Sequence, residues 1–334
     1  MKQTAGNDGA GVCITGTGSY LPERILTNHD LEKMVETSDE WIRTRTGISE
    51  RHIAGEKETT ADMSAEAARR AMEDAGVSAG DIDAIIVATI TADRILPSAA
   101  CIVQELIGAD RAYSFDISAA CSGFVYALKV AKGMVLAGMA DTVLLVGAEK
   151  LSSVTDWEDR STCVLFGDGA GAVVLQARKD CRGIITGVMG SDGSLADLLT
   201  IPAGGSSMPA ARETVDERMH YIKMAGNEVF KHAVRCMCDA GQKALDKGGY
   251  TIDDVSCVIP HQANMRIIKA IANRLGNSYD KFYVNLDRVG NLSAASVPVA
   301  LDEAARSGRV KKGDLLLFIV FGGGFTWGAT LVEF

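Results

Sequence analysis

The 334-residue chain is predicted to be an internally duplicated α/β protein. Apolar, β-branched segments alternate with amphipathic helical segments along the chain, which is typical of this fold class. Residues 70–89 also match residues 243–262 without a gap. Because a single hydrophobic core seldom serves more than about 250–300 residues, the length favours two packed halves.

Three further pairs of segments match in the same order and at nearly the same spacing. They are 11–19 with 183–191, 118–128 with 291–301, and 141–146 with 314–319. This duplication predicts an N-terminal half at residues 1–180 and a C-terminal half at residues 181–334. Two such halves can bury their sheets by placing helix layers between and outside them. We therefore expect a layered sandwich with a pseudo-twofold axis and equivalent helices at its centre.

The predicted elements are clearest in the first half. A helix is expected over residues 61–75, with Thr59 or Thr60 as its cap, an apolar face repeating every three or four residues, and Gly76 at its end. The continuous apolar segment at residues 83–90 then predicts a strand that is covered on both faces.

The composition indicates a protein with a large core, since 47% of the residues are hydrophobic and 23% are charged. No segment approaches the roughly 20 apolar residues of a membrane helix, so we expect no membrane association and a cytoplasmic location. The net charge of −9 argues against nucleic acid as a partner, because such binding needs a positive surface.

The eight cysteines show no spacing typical of a zinc site, and no metal is expected. Seven of them are predicted to be reduced, buried apolar residues. Cys236 and Cys238 lie two apart on a helical segment, so they do not share a face and are not expected to pair.

Cys121 differs from the others because it lies in FDISAACSGF, where a strand leads into an apolar helix. Free N–H groups and the dipole at a helix start favour a thiolate, and such positions lower a cysteine pKa from about 8.5 to roughly 3.5–7.5. Small neighbouring residues would let a substrate approach. The sequence therefore predicts a nucleophile with a lowered pKa at Cys121.

Two polar residues occupy related places in the repeat. His261, in VIPHQAN, follows an apolar strand, and Asn291, in VGNLSAAS, opens the helix equivalent to that of Cys121. Local hydrogen bonding alone would explain His261, and helix capping alone would explain Asn291. The duplication brings the strand end and both helix starts to one side, so we predict that both residues face Cys121.

Two glycine-rich segments lead to different expectations. FGGGFTWG, at residues 321–328, is either a tight turn or an oxyanion hole whose backbone N–H groups contact a reacting carbonyl. GDGAG, at residues 167–171, lacks the spacing of a dinucleotide loop and leads into a strand, so no nicotinamide site is expected.

Together, AACSGF around Cys121, PHQAN around His261, GNLSAAS around Asn291 and the terminal FGGGFTWG resemble the β-ketoacyl-acyl carrier protein synthase III family of the thiolase superfamily. TSDEWI, RTGI, ERHIA, LPSAAC and GDGAGA extend the resemblance over roughly residues 11–334. It implies the five-layer αβαβα thiolase fold, a homodimer, and a role in bacterial type II fatty acid synthesis. It implies no tightly bound cofactor.

The resemblance also implies that the protein is an acyltransferase and that it catalyses the condensation that initiates fatty acid synthesis. Cys121 would take an acyl group, commonly acetyl, from an acyl-CoA. His261 and Asn291 would then hold the thioester carbonyl of malonyl-acyl carrier protein while loss of CO₂ leaves an enolate that attacks the acyl-cysteine. The backbone N–H groups of Cys121 and Gly323 would form the oxyanion hole, and the product would be a 3-oxoacyl-acyl carrier protein.

Substrate-binding residues follow from the same resemblance. Trp41 and Arg160 would enclose the adenine of coenzyme A, and Arg45 would approach its phosphates. Leu96 aligns with a position that reaches the acyl pocket of the partner subunit.

A basic patch is implied for the acyl carrier protein. Lys231, Arg266 and Arg274 fall at or near the positions that form it. An acidic carrier meeting a chain of net negative charge needs such local positive charge.

Several alternatives share parts of this pattern. A related enzyme of secondary metabolism could use the same triad with another acyl group or acceptor. A degradative thiolase would carry a second catalytic cysteine near the C-terminus, and an elongating synthase would carry histidine in place of Asn291. A cysteine hydrolase would not explain the duplication, and a non-catalytic thiolase-fold scaffold would lack the complete triad.

Overall fold

The computed structural model describes residues 10–334, so the first nine residues of the predicted N-terminal half lie outside the described range. The strands in this range are β1 (Gly11–Tyr20), β2 (Ile25–Thr27), β3 (Glu50–His52), β4 (Ala84–Ala88), β5 (Tyr113–Ile117), β6 (Thr142–Lys150), β7 (Asp168–Arg178), β8 (Ile184–Ser191), β9 (Leu199–Thr200), β10 (Lys223–Met224), β11 (Cys257–Pro260), β12 (Leu315–Gly322) and β13 (Thr326–Glu333). The helices are α1 (Asn28–Leu31), α2 (Asp39–Thr46), α3 (Thr60–Ala75), α4 (Ala99–Ile107), α5 (Gly123–Leu136), α6 (Arg212–Asp216), α7 (Gly226–Gly248), α8 (Met265–Arg274), α9 (Leu286–Val289) and α10 (Ser296–Arg306).

Two sheets carry the duplication. The first has the strand order β1-β7-β6-β4-β5, and the second has the order β8-β13-β12-β11. In each, the first two pairings along this order are antiparallel and the next is parallel. All strands of the first sheet end by residue 178, and all strands of the second begin at residue 184 or later. The strand order therefore repeats as the sequence match predicts.

Helix layers cover both faces of both sheets. Along β4, Ile86 faces the core between the sheets, which contains α5 and α10. Its neighbours Ile85 and Val87 face the outer layer formed by α3 and α4. On the second sheet, Leu317 and Ile319 of β12 pack against α7 and α8. This alternation, which follows from the two-residue period of a strand, gives five layers and confirms the predicted αβαβα sandwich.

The helix and the strand predicted in the first half are both present, but the helix begins one residue earlier, at Thr60, and the strand is shorter, at Ala84–Ala88. Helix α3 is capped by the Thr59 side chain, which accepts a hydrogen bond from Asp62 N, and it ends at Gly76 in the left-handed conformation. Strand β4 is buried throughout. GDGAG does not precede its strand, because Asp168 to Gly171 already belong to β7.

A tight turn precedes each central helix. Residues 120–122 form a 3₁₀ turn before α5, and residues 293–295 form the equivalent turn before α10. Ala120 and Ser293 open these turns with φ values of 46° and 48°. Such left-handed geometry is costly for residues other than glycine and clusters at functional sites. Its occurrence at two equivalent positions shows that the duplication preserved the backbone of this turn.

A disulfide corrects the prediction that seven cysteines are reduced and buried. Cys13 on β1 is joined to Cys181, in the segment between β7 and β8, with a Cα–Cα distance of 6.4 Å. Cys101 is reduced but exposed. The two bonded cysteines lie 168 residues apart, so only the packing of β1 beside the junction of the halves brings them together.

This bond predicts a redox-dependent stability. Reducing the disulfide should lower the free energy of unfolding by about 2–5 kcal/mol, because the closed loop restricts the unfolded chain. Urea unfolding of the oxidised protein, with and without reductant, measures the difference. A Cys181→Ser variant should unfold at the same urea concentration in both conditions. Rapid alkylation of both cysteines in the folded, unreduced protein would contradict the pairing.

Candidate active site

Cys121 lies in the turn that precedes α5, against the end of β12. A Cβ atom placed on Gly322 would lie 2.6 Å from the backbone nitrogen of Cys121, so only glycine fits at this point of β12. The turn from the first half therefore packs directly on a strand of the second half. This contact fixes the nucleophile at the boundary between the two halves.

The predicted thiolate at Cys121 is not the resting form in the structure. Burial raises the pKa of Cys121 to about 12, and the nearby Glu149 carboxylate raises it further, while the Ser293 hydroxyl acts in the opposite direction. Part of the side chain faces a cavity, but protein surrounds the rest. Loss of hydration thus outweighs the effect of the helix start, and the expectation of a lowered pKa was wrong.

His261 stands at the end of β11, as predicted. Its backbone N–H donates to Ile319 O at 2.8 Å, which holds the residue beside β12. The side chain is 4% exposed, and its Nδ1 has no hydrogen-bond partner within the described residues. Burial lowers the pKa of His261 to about 3, so the imidazole is neutral at physiological pH.

Asn291 is held by both its backbone and its side chain. Its N–H donates to Leu165 O at 2.9 Å, and its carbonyl accepts from Gly167 N at 3.1 Å. Its Oδ1 accepts from Ser293 N at 2.9 Å, which caps the turn before α10. The capping interpretation therefore holds for Oδ1, whereas the predicted donor role would fall to the amide nitrogen of the same side chain and stays a prediction.

One cavity brings these three residues together. It has a volume of about 300 Å³ and is lined by Cys121, His261 and Asn291, with Trp41 and Arg45 further out. Its wall is largely apolar and includes Phe166, Leu199, Met224, Phe230, Met237 and Phe321. The arrangement presents a thiol, a neutral imidazole and an amide to a ligand in a mostly apolar cavity.

The glycine run meets the cavity through Gly322. Gly323 follows it and lies beside Leu199 and Ala120, next to the turn that carries Cys121. Its part in an oxyanion hole stays a prediction.

The residues expected to bind coenzyme A lie together at the outer part of the cavity. Trp41 and Arg45 line it directly. The Arg160 guanidinium lies over the Trp41 ring, 4.8 Å from its centroid, and donates to Glu36 O at 2.8 Å. An adenine between Trp41 and Arg160 therefore requires these two side chains to separate.

The three basic residues expected to bind the carrier protein lie on two helices. Lys231 is on α7, where its exposed ammonium pairs with Glu228 at 2.8 Å. Arg266 and Arg274 are on α8. Arg266 also lines the cavity, with its guanidinium 5.4 Å from the centre of the Phe230 ring. It thus belongs both to the exposed surface and to the cavity mouth.

Leu96 lies apart from the cavity of its own chain. It is 84% exposed and adjoins Ile95, which is 95% exposed. Both precede α4, beside the edge strand β5 of the first sheet.

Sequence reasoning missed Glu149 and Ser293. Ser293 lies between the nucleophile and Asn291, and Glu149 is hydrogen-bonded to Ser293. Ser293 Oγ donates to Glu149 Oε1 at 3.0 Å. The one available signal was an acidic residue in the apolar segment TVLLVGAEK, whose burial only the sheet packing reveals.

Across residues 10–334, no three His, Cys, Asp or Glu side chains converge as metal ligands would. None of the helices described in that range combines the length and the apolar character needed to cross a membrane.

Comparisons with known proteins match most of the chain. Residues 115–193 match the family model of 3-oxoacyl-[acyl-carrier-protein] synthase III, and residues 245–334 match its C-terminal model. The β-ketoacyl-[acyl-carrier-protein] synthase III of Desulfitobacterium hafniense is 53% identical over 322 residues, covering 96% of this chain and 97% of the relative.

Solved structures extend the comparison. The 3-oxoacyl-[acyl-carrier-protein] synthase III of Aquifex aeolicus is 51% identical with a TM-score of 0.90, covering 97% of this chain and 100% of that one. The priming β-ketosynthase of the R1128 polyketide biosynthetic pathway is 38% identical with a TM-score of 0.89, covering 96% of each chain.

The neutral state of His261 predicts an effect on stability. At pH 5 the folded chain keeps this imidazole neutral, whereas the unfolded chain, with a pKa near 6.5, takes up a proton, so acid favours unfolding. From pH 7.5 to pH 5 the wild type should lose about 2 kcal/mol more unfolding free energy than a His261→Gln variant. Urea unfolding at both pH values measures this. Replacing the exposed His29 should not reduce the loss, and equal losses in wild type and His261→Gln would contradict the buried neutral form.

Proposed function

Because the chain belongs to the β-ketoacyl-[acyl-carrier-protein] synthase III family, we propose that it condenses an acyl-CoA primer with malonyl-acyl carrier protein and so initiates fatty acid synthesis. The observation that carries this proposal is the single cavity in which Cys121, His261 and Asn291 meet. A covalent intermediate divides the reaction into two steps that one site can perform in turn.

Acyl transfer comes first. The Cys121 sulfur attacks the acyl thioester, and coenzyme A leaves through the outer part of the cavity. The backbone N–H groups of Cys121 and Gly323 stabilise the tetrahedral oxyanion. The apolar wall favours an acyl chain and keeps water from the thioester that forms on Cys121.

Condensation follows at the same sulfur. The neutral His261 imidazole and the Asn291 amide nitrogen donate hydrogen bonds to the thioester oxygen of the malonyl group, where negative charge develops as CO₂ departs. Capping by Asn291 Oδ1 supports this role, because it fixes which end of the amide is free. The enolate carbon then attacks the acyl-cysteine and releases the 3-oxoacyl product.

The surroundings of the cavity support the proposed partners. Trp41, Arg45 and Arg160 bind coenzyme A, and the basic patch binds the acyl carrier protein. The reaction belongs to the cytoplasm, where both substrates occur.

A second copy of the chain covers the first sheet's open edge. Tyr113 on edge strand β5 is 42% exposed, and the strongly exposed Ile95 and Leu96 precede α4, whose first turn donates to Asp116 of the same strand. Exposed apolar side chains next to an unpaired strand favour association, so we propose a homodimer through this edge. Leu96 would then border the acyl pocket of the partner subunit.

A second candidate function follows from the 38% identity to a priming β-ketosynthase of a polyketide pathway. In this alternative the same chemistry loads a different primer for secondary metabolism. Mass analysis of the products made from a panel of acyl-CoAs separates the two, since a preference for acetyl-CoA favours fatty acid initiation.

The two half-reactions test the proposed roles. Labelled acetyl-CoA should acylate Cys121 in the wild type and in an Asn291→Ala variant at similar rates. The variant should lose condensation by about 10²–10³-fold, because a missing donor to an oxyanion costs on the order of 3 kcal/mol. His261→Ala should likewise lose condensation much more than acylation. Single-turnover labelling and CO₂ release measure the two rates on each protein.

The controls for this test separate chemistry from folding. A Cys121→Ala protein should take up no label, and label on another cysteine would overturn the assignment of the nucleophile. Equal losses of both half-reactions in Asn291→Ala would mean that Asn291 serves only to cap α10.

The basic patch predicts a separate effect on the carrier protein. Replacing Lys231 and Arg274 together by Glu should raise the KM for malonyl-acyl carrier protein roughly tenfold and weaken its dependence on salt, since exposed charges steer association. Acyl transfer from acetyl-CoA should be unchanged, because neither residue lines the cavity. Replacing Lys243 and Lys247, further along α7, by Glu is the matched control. An equal increase in the control, or an equal loss of acyl transfer, would show that the patch is wrongly assigned.

A further inference from the structure

Glu149 is a fully buried carboxylate directly behind the nucleophile. It lies near the end of β6 with 0% of its surface exposed. Its Oε2 accepts hydrogen bonds from Thr91 Oγ1 at 2.6 Å, from Thr89 Oγ1 at 3.1 Å and from Ile90 N at 3.1 Å. Three donors on one oxygen stabilise the ionised form of the group.

The other oxygen of Glu149 faces the active site through a hydroxyl. Oε1 accepts from Ser293 Oγ at 3.0 Å, and Ser293 Oγ lies beside the Cys121 sulfur. The Ser293 hydroxyl therefore stands next to the Cys121 thiol and is hydrogen-bonded to a carboxylate oxygen of Glu149, an order of groups along which a proton can pass.

We propose that Glu149 accepts the Cys121 proton through Ser293 during acyl transfer and returns it during condensation. This inference rests on the proposed function, because it concerns the proton of the same nucleophile. Glu149 touches no substrate and acts through Ser293, so it is a positioning residue that also stores the proton.

The proton that Cys121 loses in acyl transfer returns to it in condensation. In acyl transfer, the Cys121 S–H bond breaks as its proton moves to Ser293 Oγ, and the Ser293 proton moves to Glu149 Oε1. The thiolate attacks the acyl-CoA, and the expelled coenzyme A thiolate takes a proton from solvent. In condensation, the enolate attack releases the Cys121 sulfur as a thiolate, and the proton returns from Glu149 along the same path.

The alternative acceptor is less suitable. Burial lowers the pKa of His261 to about 3, which makes its imidazole a weak base in the resting site. Burial raises the pKa of Glu149 to about 7, although its hydrogen bonds act in the opposite direction. A base with a pKa near the working pH transfers protons most effectively in both directions.

Several elements of the fold surround the Glu149 carboxylate. Thr89, Ile90 and Thr91 follow β4, Ser293 opens the turn before α10, and Cys121 lies in the turn before α5. From β7, the residue paired with Glu149 is Gly169. The adjacent Lys150 directs its ammonium away, to the carbonyls of Gly55, Glu56 and Glu58. The thiol is thus the titratable partner of this carboxylate.

The test is the pH dependence of Cys121 acylation in a single turnover with acetyl-CoA, followed by intact-protein mass from pH 5.5 to pH 9. Glu149 must be ionised to accept a proton, so the wild-type rate should rise through a midpoint near pH 7 and then level off. Glu149→Gln should react about 10²-fold more slowly and lose this midpoint. Ser293→Ala should do the same although its carboxylate is intact.

Asp168→Asn is the matched control for removing a buried carboxylate. Asp168 also accepts from a serine hydroxyl, Ser152 Oγ at 2.6 Å, but it lies outside the cavity lining. This variant should keep both the rate and the midpoint. If Glu149→Gln or Ser293→Ala keeps the wild-type rate, or loses rate while keeping the midpoint, the relay is overturned. If Glu149→Gln does not fold, Ser293→Ala decides the question alone.

A probe without coenzyme A separates this inference from the proposed function. Alkylation of Cys121 by iodoacetamide needs the same loss of the thiol proton and should show the same midpoint and the same losses in both variants. A wild type that is alkylated in this way but not acylated would contradict the proposed function and leave the relay standing. Alkylation with no difference between wild type and Ser293→Ala would contradict the relay.

Discussion

The packing of the two 3₁₀ turns before α5 and α10 between the sheets is the contact on which the active site depends. The turn before α5 lies against β12 of the other half, where Gly322 leaves no room for a side chain beside Cys121 N. The turn before α10 lies against β6, where a Cβ atom on Gly147 would come within 2.4 Å of Ala294 O. Each half thus fixes the catalytic turn of the other. A displacement of one sheet against its partner would separate Cys121 from Asn291.

Burial determines the chemical state of this site before a substrate arrives. The thiol is protonated and the imidazole is neutral, because neither charged form is well solvated there. During the reaction, charge then develops only on reacting atoms that already face a hydrogen-bond donor or a proton acceptor. A neutral imidazole and an amide nitrogen suit an enolate oxygen, whereas a carboxylate behind a serine suits a proton that must leave and return.

The outer surface governs the approach of anionic substrates, which a chain with a net charge of −9 would otherwise repel. Positive charge is concentrated where the cavity opens, at Arg45 and Arg266, and continues along α7 and α8. The apolar channel behind Trp41 then receives the uncharged end of the substrate. Charge and apolar surface are therefore arranged in the order in which a thioester would enter.

The sequence by itself determined the duplication, the α/β class, the presence of α3 and β4, and the positions of Cys121, His261 and Asn291, because these follow from local patterns and from a repeat that one chain displays. Only the tertiary structure decided the protonation of Cys121, the disulfide between Cys13 and Cys181, and the place of Glu149. Each of these depends on desolvation or on contacts between residues far apart in the chain. A helix start favours a thiolate in any sequence, but the protein packed around it determines whether that charge is retained.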